Sequence, residues 1–296
     1  MNYLVKALAL NDEVRAYVVD TTEILNEAIK KHDLWPSAAS VLGKTMTMGV
    51  IMGAMLKGNE GVTIKINGNG PIGNVIVDAD ARGNVRGYVD HPHVNFLHNE
   101  GGLHDGYTIG NDGFIDVIKD LKLNDFFTSS IALTGDLAKD FTYYFYESEQ
   151  TPSAVSLGVL VDVDNKCVKS GGMIFQLLPG ASEEAISKLE KALVGIPPMS
   201  TLLKEHTPVE ILHIIFNDDF KIVGKDEVRF HCPCNKQDFA IGLMTLGVEE
   251  LTEILHEDKN IETVCHYCGE KYQFNEDEIN NIIEGIKRKW LIRTIF

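Results

Sequence analysis

The sequence predicts an α+β protein in three parts. Residues 1–179 form a large N-terminal α+β core domain with mixed or antiparallel sheets, 180–230 a helical linker, and 231–275 a small C-terminal domain, with 276–296 left as a C-terminal helix and tail. Three observations predict this. Over 1–179 the apolar period alternates between two and helical spacing, which places strands and helices around one core. Over 180–230, short amphipathic runs are cut by breakers. Over 231–275, four of the five cysteines come together as Cys232-x-Cys234 and Cys265-x-x-Cys268.

Residues 2–9 and 13–19 flank the turn-forming pair Asn11-Asp12 and read as a β-hairpin. Thr21 or Thr22 caps a helix to Lys31 whose apolar stripe is Ile24, Leu25, Ala28 and Ile29. Pro36 suits a first helical position, and the helix after it runs to Leu56. The apolar run TMTMGVIMGAML (45–56) is shorter than the ~20 residues a membrane span needs, so a buried core helix is expected. Met48, Met52 and Met55 share one face of it. Core packing is the expectation for them, with an adaptable face for varied partners as the alternative.

From residue 62 the period changes to two, with Val62, Ile64 and Ile66 alternating with polar residues. The loop GNGPIG (68–73) matches G-x-G-x-x-G. A dinucleotide site also needs a helix opening at that loop, and here Pro71 intervenes and 74–90 reads as two strands around Ala81-Arg82-Gly83, so no nucleotide is expected. His91, His93, His98 and His104 crowd a Pro- and Gly-rich loop without helical i, i+4 pairing, and are expected to be solvated rather than metal ligands. Residues 113–127 are ambiguous between strand and short helix. Phe141 to Tyr146 is aromatic on both faces and reads as a buried strand, and 155–179 as two strands around Asp164-Asn165, with Cys167 a structural thiol near the turn.

In the linker, Ser182 caps a helix that carries Glu183 and Glu184 in its first turn and Ile186, Leu189 and Leu193 at helical spacing. Gly195-Ile196-Pro197-Pro198 breaks it. A short helix from Met199 to Glu205 follows, and the capping box Thr207-Pro208-Val209-Glu210 opens a third to about Phe216. Helices this short cannot build a core of their own, so they must lie on the large domain and can leave it at modest cost. Glu276 to Lys289 reads as a helix, acidic at its start and basic at its end. The hydrophobic close WLIRTIF has no physical account from sequence.

A formal net charge of −16 argues against nucleic acid, whose phosphates require a basic face. Residues 231–275 alone carry three lysines against eight acids, a net of −5, which weighs against a DNA-binding finger. The N-terminal MNYLVKALALNDEVRAY lacks the pattern of a signal peptide, so a cytoplasmic, reducing location is expected, where paired cysteines read as metal or redox chemistry. Two tight cysteine pairs flanking a helix-length spacer suit one structural Zn2+ held by the thiolates of Cys232, Cys234, Cys265 and Cys268. Below ~70–80 residues an apolar core rarely supplies more than ~3–5 kcal/mol. Structural zinc contributes an apparent ~10–16 kcal/mol in small peptides, so the module is expected to fold only around its metal.

The stretches RFHCPCNKQDF, LMTLGVEELTEILHED and ETVCHYCGEKYQF closely resemble the C-terminal region of the redox-regulated heat-shock chaperone family of 33 kDa, and GNGPIG, DADARGNVRGYV and DFTYYFYESEQTPSA resemble its N-terminal domain. The resemblance spans roughly residues 1–280. It implies a cytoplasmic, ATP-independent holdase that is inactive with zinc bound and active after oxidation, often as a homodimer, with unfolded client proteins as partners. Zinc keeps the sulfurs as oxidisable thiolates, and a sulfenic acid formed on one condenses with a neighbour. Disulfides Cys232–Cys234 and Cys265–Cys268 would leave no thiolate for the metal, and the module would unfold. His266 is weighed and set aside as a competing ligand, because four sulfurs already complete the set. Two rival readings are a zinc-ribbon adaptor with purely structural metal and an enzyme in the N-terminal domain. No catalytic constellation is legible for the second, and a deep cleft lined by ionisable residues would revive it.

Overall fold

The computed structural model describes residues 2–97 and 102–295, with side chains as far as Arg288. The chain divides into two units, Met1–His231 and Cys232–Phe296. In the first, β1 (Tyr3–Ala9) and β2 (Val14–Asp20) pair antiparallel about a turn in which Leu10, Asn11 and Asp12 all hold positive φ. Helix α1 (Thr22–His32) follows. Thr21 occupies its N-cap position, yet its hydroxyl does not cap; it lies 2.8 Å from that of Thr47 and 2.9 Å from that of Ser170, tying three elements together in the core. Helix α2 (Pro36–Gly53) is buried nearly all round. Met48 and Met52 are therefore core residues, while Met55 lies beyond the end of the helix and is half-buried.

Strands β3 (Gly61–Asn69), β4 (Val75–Asp80) and β5 (Asn84–Val89) form a meander, with Gly83 at φ +79° in the second turn. The GNGPIG loop joins strand to strand, and its glycines serve close backbone approach. Gly70 N–H donates to the Ile109 carbonyl at 2.9 Å, and a Cβ on Gly70 would lie 2.2 Å from that carbonyl carbon. After α3 (Asp105–Ile109), the ambiguous segment resolves as β6 (Gly110–Asp120), a turn, and β7 (Phe127–Ala132).

The aromatic run is a correction to the sequence reading: Phe141 to Tyr146 lies inside helix α4 (Leu137–Glu147), not in a strand. Asp136 caps the helix by accepting from Lys139 N–H. Leu137, Phe141, Tyr144 and Phe145 are buried at helical spacing, while Tyr143 and Tyr146 face outward at 50% and 60% exposure. Tyrosine tolerates either setting, so aromaticity on both sides concealed the period and the cap decided the element.

Strands β8 (Ser153–Val161) and β9 (Cys167–Leu177) follow, and then α5 (Glu183–Leu193), α6 (Met199–Glu205) and α7 (Pro208–Phe216). The side chain of Ser182 caps α5, and Thr207 with Glu210 forms the capping box of α7. These helices bury Leu189, Leu202, Ile211 and Phe216 against Val5, Val18 and Phe175 on one sheet face. The segment before the cysteines also holds β10 (Phe220–Glu227) and β11 (Arg229–Phe230), which the sequence reading missed because FKIVGKDE shows no clean alternation. The sheets run β10-β1-β2-β9-β8, antiparallel throughout, and β11-β5-β4-β3-β6-β7, mixed through the parallel β11–β5 pair.

Asp140 is 1% exposed; its Oδ1 accepts from the Thr134 hydroxyl and backbone N–H, and its Oδ2 has no partner. Burial raises its pKa against the lowering effect of those hydrogen bonds. The native state thus holds this proton more tightly than the unfolded chain. Its stabilisation is complete below the unfolded value of about 3.9 and is lost as pH rises through the raised native one. Asp140→Asn is expected to raise the melting temperature of the first unit by a few degrees at pH 7, with the gap closing below pH ~4; thermal unfolding followed by circular dichroism at both pH values checks this.

The second unit comprises α8 (Lys236–Leu243), a 3₁₀ turn (Met244–Leu246), α9 (Gly247–Glu257), the hairpin of β12 (Asn260–Val264) and β13 (Lys271–Asn275), and α10 (Glu276–Ile295). Its core joins Leu243, Leu251 and Phe274 to Ile279, Ile282, Ile283 and Ile286 of α10, so that helix completes the module. Among the described residues no helix is long and apolar enough to cross a membrane.

Candidate metal centre

Cys265 directly follows β12 and Cys268 lies in the tight turn before β13. Within that turn Gly269 N–H donates to the Cys265 carbonyl at 2.8 Å, Cys265 N–H donates to the Glu270 carbonyl at 2.9 Å, and Gly269 takes φ +72°, which a side chain would resist. Cys232 and Cys234 come from the extended stretch ahead of α8, which Asn235 caps by accepting from Asp238 N–H. An x-residue spacing in extended chain puts both side chains of the Cys-x-Cys pair on one side.

The four Sγ atoms lie within 4.8 Å of one another, with Cys232–Cys265 at 3.7 Å and Cys234–Cys268 at 3.4 Å. A tetrahedral ion with metal–sulfur bonds of ~2.3 Å spaces its sulfurs by ~3.8 Å, so the set could hold one. Burial pushes the Cys265 and Cys268 thiols above their ordinary range. The protein alone therefore disfavours the thiolates, and a cation's charge is what the site calls for. No histidine belongs to the cluster among the described residues, His266 included.

Sequence reasoning missed Tyr272. Its hydroxyl lies 3.0 Å from the Cys234 carbonyl oxygen and 3.3 Å from Cys234 Sγ, and its ring packs on Phe239 at 4.9 Å. The bond to Cys234 raises the tyrosine's pKa and keeps the hydroxyl a donor toward sulfur. Its signal was faint, since Tyr272 reads only as one alternating position of a strand. Lys236 of α8 meets Glu278 of α10 at 2.5 Å, and Asn275 exchanges hydrogen bonds with Glu278 at the start of α10, so both cysteine-bearing segments are braced on that helix.

Elsewhere, His93 pairs with Asp33 at 2.8 Å and His104 Nδ1 accepts from Tyr107 N–H; His98 lies outside the described residues. Cys167 is buried, its thiol pushed up to about 12 by burial first and Asp20 second, and its backbone is locked to Asn26 by two hydrogen bonds. A cleft of about 410 Å3 in the first unit is lined by Lys44, His104, Asp105 and Asp136. These groups serve structure: Lys44 and Ser40 bond Asp105, and Asp136 caps α4. Among the described residues, the cleft's Lys44 and Asp105 are thus paired with each other and Asp136 is engaged as a helix cap.

The sequence profile described as "Hsp33 protein" matches residues 2–275. A 33 kDa chaperonin of Bacillus velezensis is 45% identical over 97% of this chain and all of its own length, and one of Bacillus cereus 46% identical over 96% and 99%. The crystal structure of a 33 kDa chaperonin, the Hsp33 homologue of Thermotoga maritima, superposes with a TM-score of 0.88 at 31% identity, covering 96% of this chain and 98% of that one. With the four-cysteine cluster in its second unit and this similarity along almost its full length, the chain belongs to the Hsp33 family of chaperones.

Proposed function

We infer that this protein is a redox-controlled holdase of the cytoplasm, silent while its cysteines hold zinc and able to bind unfolded chains once they are oxidised. The observation that carries the reading is the convergence of four Sγ atoms within 4.8 Å. Zinc, when bound, supplies a charge that keeps all four sulfurs deprotonated. Transfer of an oxygen from peroxide to one Sγ gives a sulfenic acid and leaves water or alcohol. A neighbouring thiolate then attacks that sulfur, forming an S–S bond and expelling hydroxide. Two such events close Cys232–Cys234 and Cys265–Cys268 and consume two peroxides.

Without its thiolates the second unit loses its main stabiliser. Because β11 ends one residue before His231 and the chain runs straight into Cys232, melting there frees the end of β10–β11 and loosens the hold on α5 to α7. Their departure would uncover Val5, Val18 and Phe175, an apolar face suited to unfolded partners or to a second oxidised copy. Light scattering from a chemically unfolded client diluted beside the protein tests the reading. Suppression is expected after peroxide at mild heat and absent for the reduced, zinc-loaded form. Equal behaviour of the two forms would leave zinc as scaffolding for an adaptor.

A further inference from the structure

The edges of the two sheets are defended unequally. In the five-stranded sheet the edge strand β10 carries Lys221, Lys225, Asp226 and Glu227, the charges that ordinarily keep an edge from pairing; the opposite edge, β8, is uncharged, but its side chains are half-buried or buried and the start of α6 lies against Gly158. In the six-stranded sheet β7 is the edge, and FTSSIA holds no charge and no proline. Leu133 N–H donates to the Gly113 carbonyl at 3.0 Å, in continuous register with Phe114↔Ala132 through Lys119↔Phe127. In an antiparallel ladder this alternation turns the backbone groups of Phe127, Ser129 and Ile131 toward β6 and those of Thr128, Ser130 and Ala132 outward. The side chains of these last three are exposed, as are Leu123, Phe126 and Phe127 at one end of the strand and Phe114 beside its other end, at 53–68% exposure for the four large ones.

Resting on the holdase reading above, we propose that the outer edge of β7 is a docking strand for an extended segment of unfolded polypeptide, which adds to the sheet through Thr128, Ser130 and Ala132 and lays apolar side chains on Phe114, Phe126 and Phe127. Backbone pairing suits a binder of many sequences, since every unfolded chain offers the same donors and acceptors. The surroundings choose the occupant. Asp112, Asp116 and Asp125 rim the strand, Lys119 is engaged by Glu149, and Lys122 by Asp120. An apolar segment flanked by basic residues is matched to that rim. A second copy paired strand to strand would set the acidic rim against itself, which disfavours it. Three outward residues form a short ladder, so the edge grips weakly alone and adds to whatever apolar surface oxidation uncovers.

The test uses the full chain, zinc-loaded and peroxide-oxidised, with fluorescently labelled, reduced and S-aminoethylated α-lactalbumin, whose blocked cysteines carry positive charge, as a permanently unfolded probe. A second probe is a Lys-flanked Val/Thr decapeptide with its N-methylated twin, methylated at alternate residues. Thr128→Lys places a charge on the edge, and Ser130→Pro removes an outward N–H without breaking a backbone bond to β6, losing only the hydroxyl's bond to Asp116, so the two variants challenge the edge in different ways. The expected result is at least a tenfold weaker affinity of both oxidised variants for α-lactalbumin, with thiol titre and zinc release unchanged, and binding of the plain decapeptide but not its methylated twin. Unchanged affinity in a folded variant, or equal binding of the two peptides, overturns the docking strand and leaves the holdase reading standing. Loss of dimers by sedimentation without loss of client affinity also overturns it, assigning the edge to a second copy. Failure of the oxidised wild type to bind α-lactalbumin overturns both.

Discussion

Cys265→Ser is expected to abolish stoichiometric zinc binding and unfold the second unit, leaving a protein that suppresses client aggregation without oxidant. Cys265 is 5% exposed and its sulfur sits 3.7 Å from that of Cys232, so a serine hydroxyl there removes one quarter of the donor set at its most enclosed corner. Serine is a poor ligand for a thiophilic ion, and the remaining three sulfurs lose the closed tetrahedron. The energetic asymmetry is large. A structural metal is worth an apparent ~10–16 kcal/mol, against at most ~3–5 kcal/mol from a core of this size. Zinc content by mass spectrometry, circular dichroism and the scattering assay on one sample read all three consequences. Loss of zinc with retained silence would show that the metal restrains nothing, and the redox switch would fall.

Ile279→Ala is expected to weaken zinc binding by roughly two to three orders of magnitude while touching no ligand. Ile279 is fully buried in the cluster of Leu243, Leu251, Phe274 and the α10 isoleucines. An Ile→Ala truncation in a core costs about 2–5 kcal/mol. Where the metal-free module is unfolded, metal affinity and folding share one free energy, so that cost appears in the apparent Kd at 1.4 kcal/mol per decade. Competition with a chelator of known affinity measures it. Unchanged affinity would mean that the cysteine segments are prefolded without α10. The same variant should release zinc at lower peroxide, placing the switch's threshold partly in a helix that sequence reading had set outside the module.

That boundary illustrates what was legible and what was not. Cys232, Cys234, Cys265 and Cys268 announced a common site because two pairs with a helix-length spacer have few other uses in one short stretch. The hairpin 2–19, the meander from 62 to 89 and the helices of 180–216 were equally readable, since each carries its own turn or cap: Asn11-Asp12, Gly83, Ser182 and the Thr207–Glu210 box. Local chemistry writes these elements, and they do not depend on what they meet.

The misreadings share the opposite property. The aromatic run of α4 was mistaken for a strand because only packing distinguishes buried Tyr144 from exposed Tyr143, and β10 was missed because its identity as a strand lies in the β1 backbone it pairs with. Thr21 could be read as a cap, yet contacts with Thr47 and Ser170, distant in sequence, took its hydroxyl. Tyr272 at Cys234, and α10 beneath the hairpin, likewise exist only once the chain has closed on itself. The sequence by itself determined the four sulfurs and the local elements, through short-range spacing and capping. Only tertiary structure decided which helix completes the metal module and which strand edge stays open, because burial and pairing are properties of neighbours that the chain order does not name.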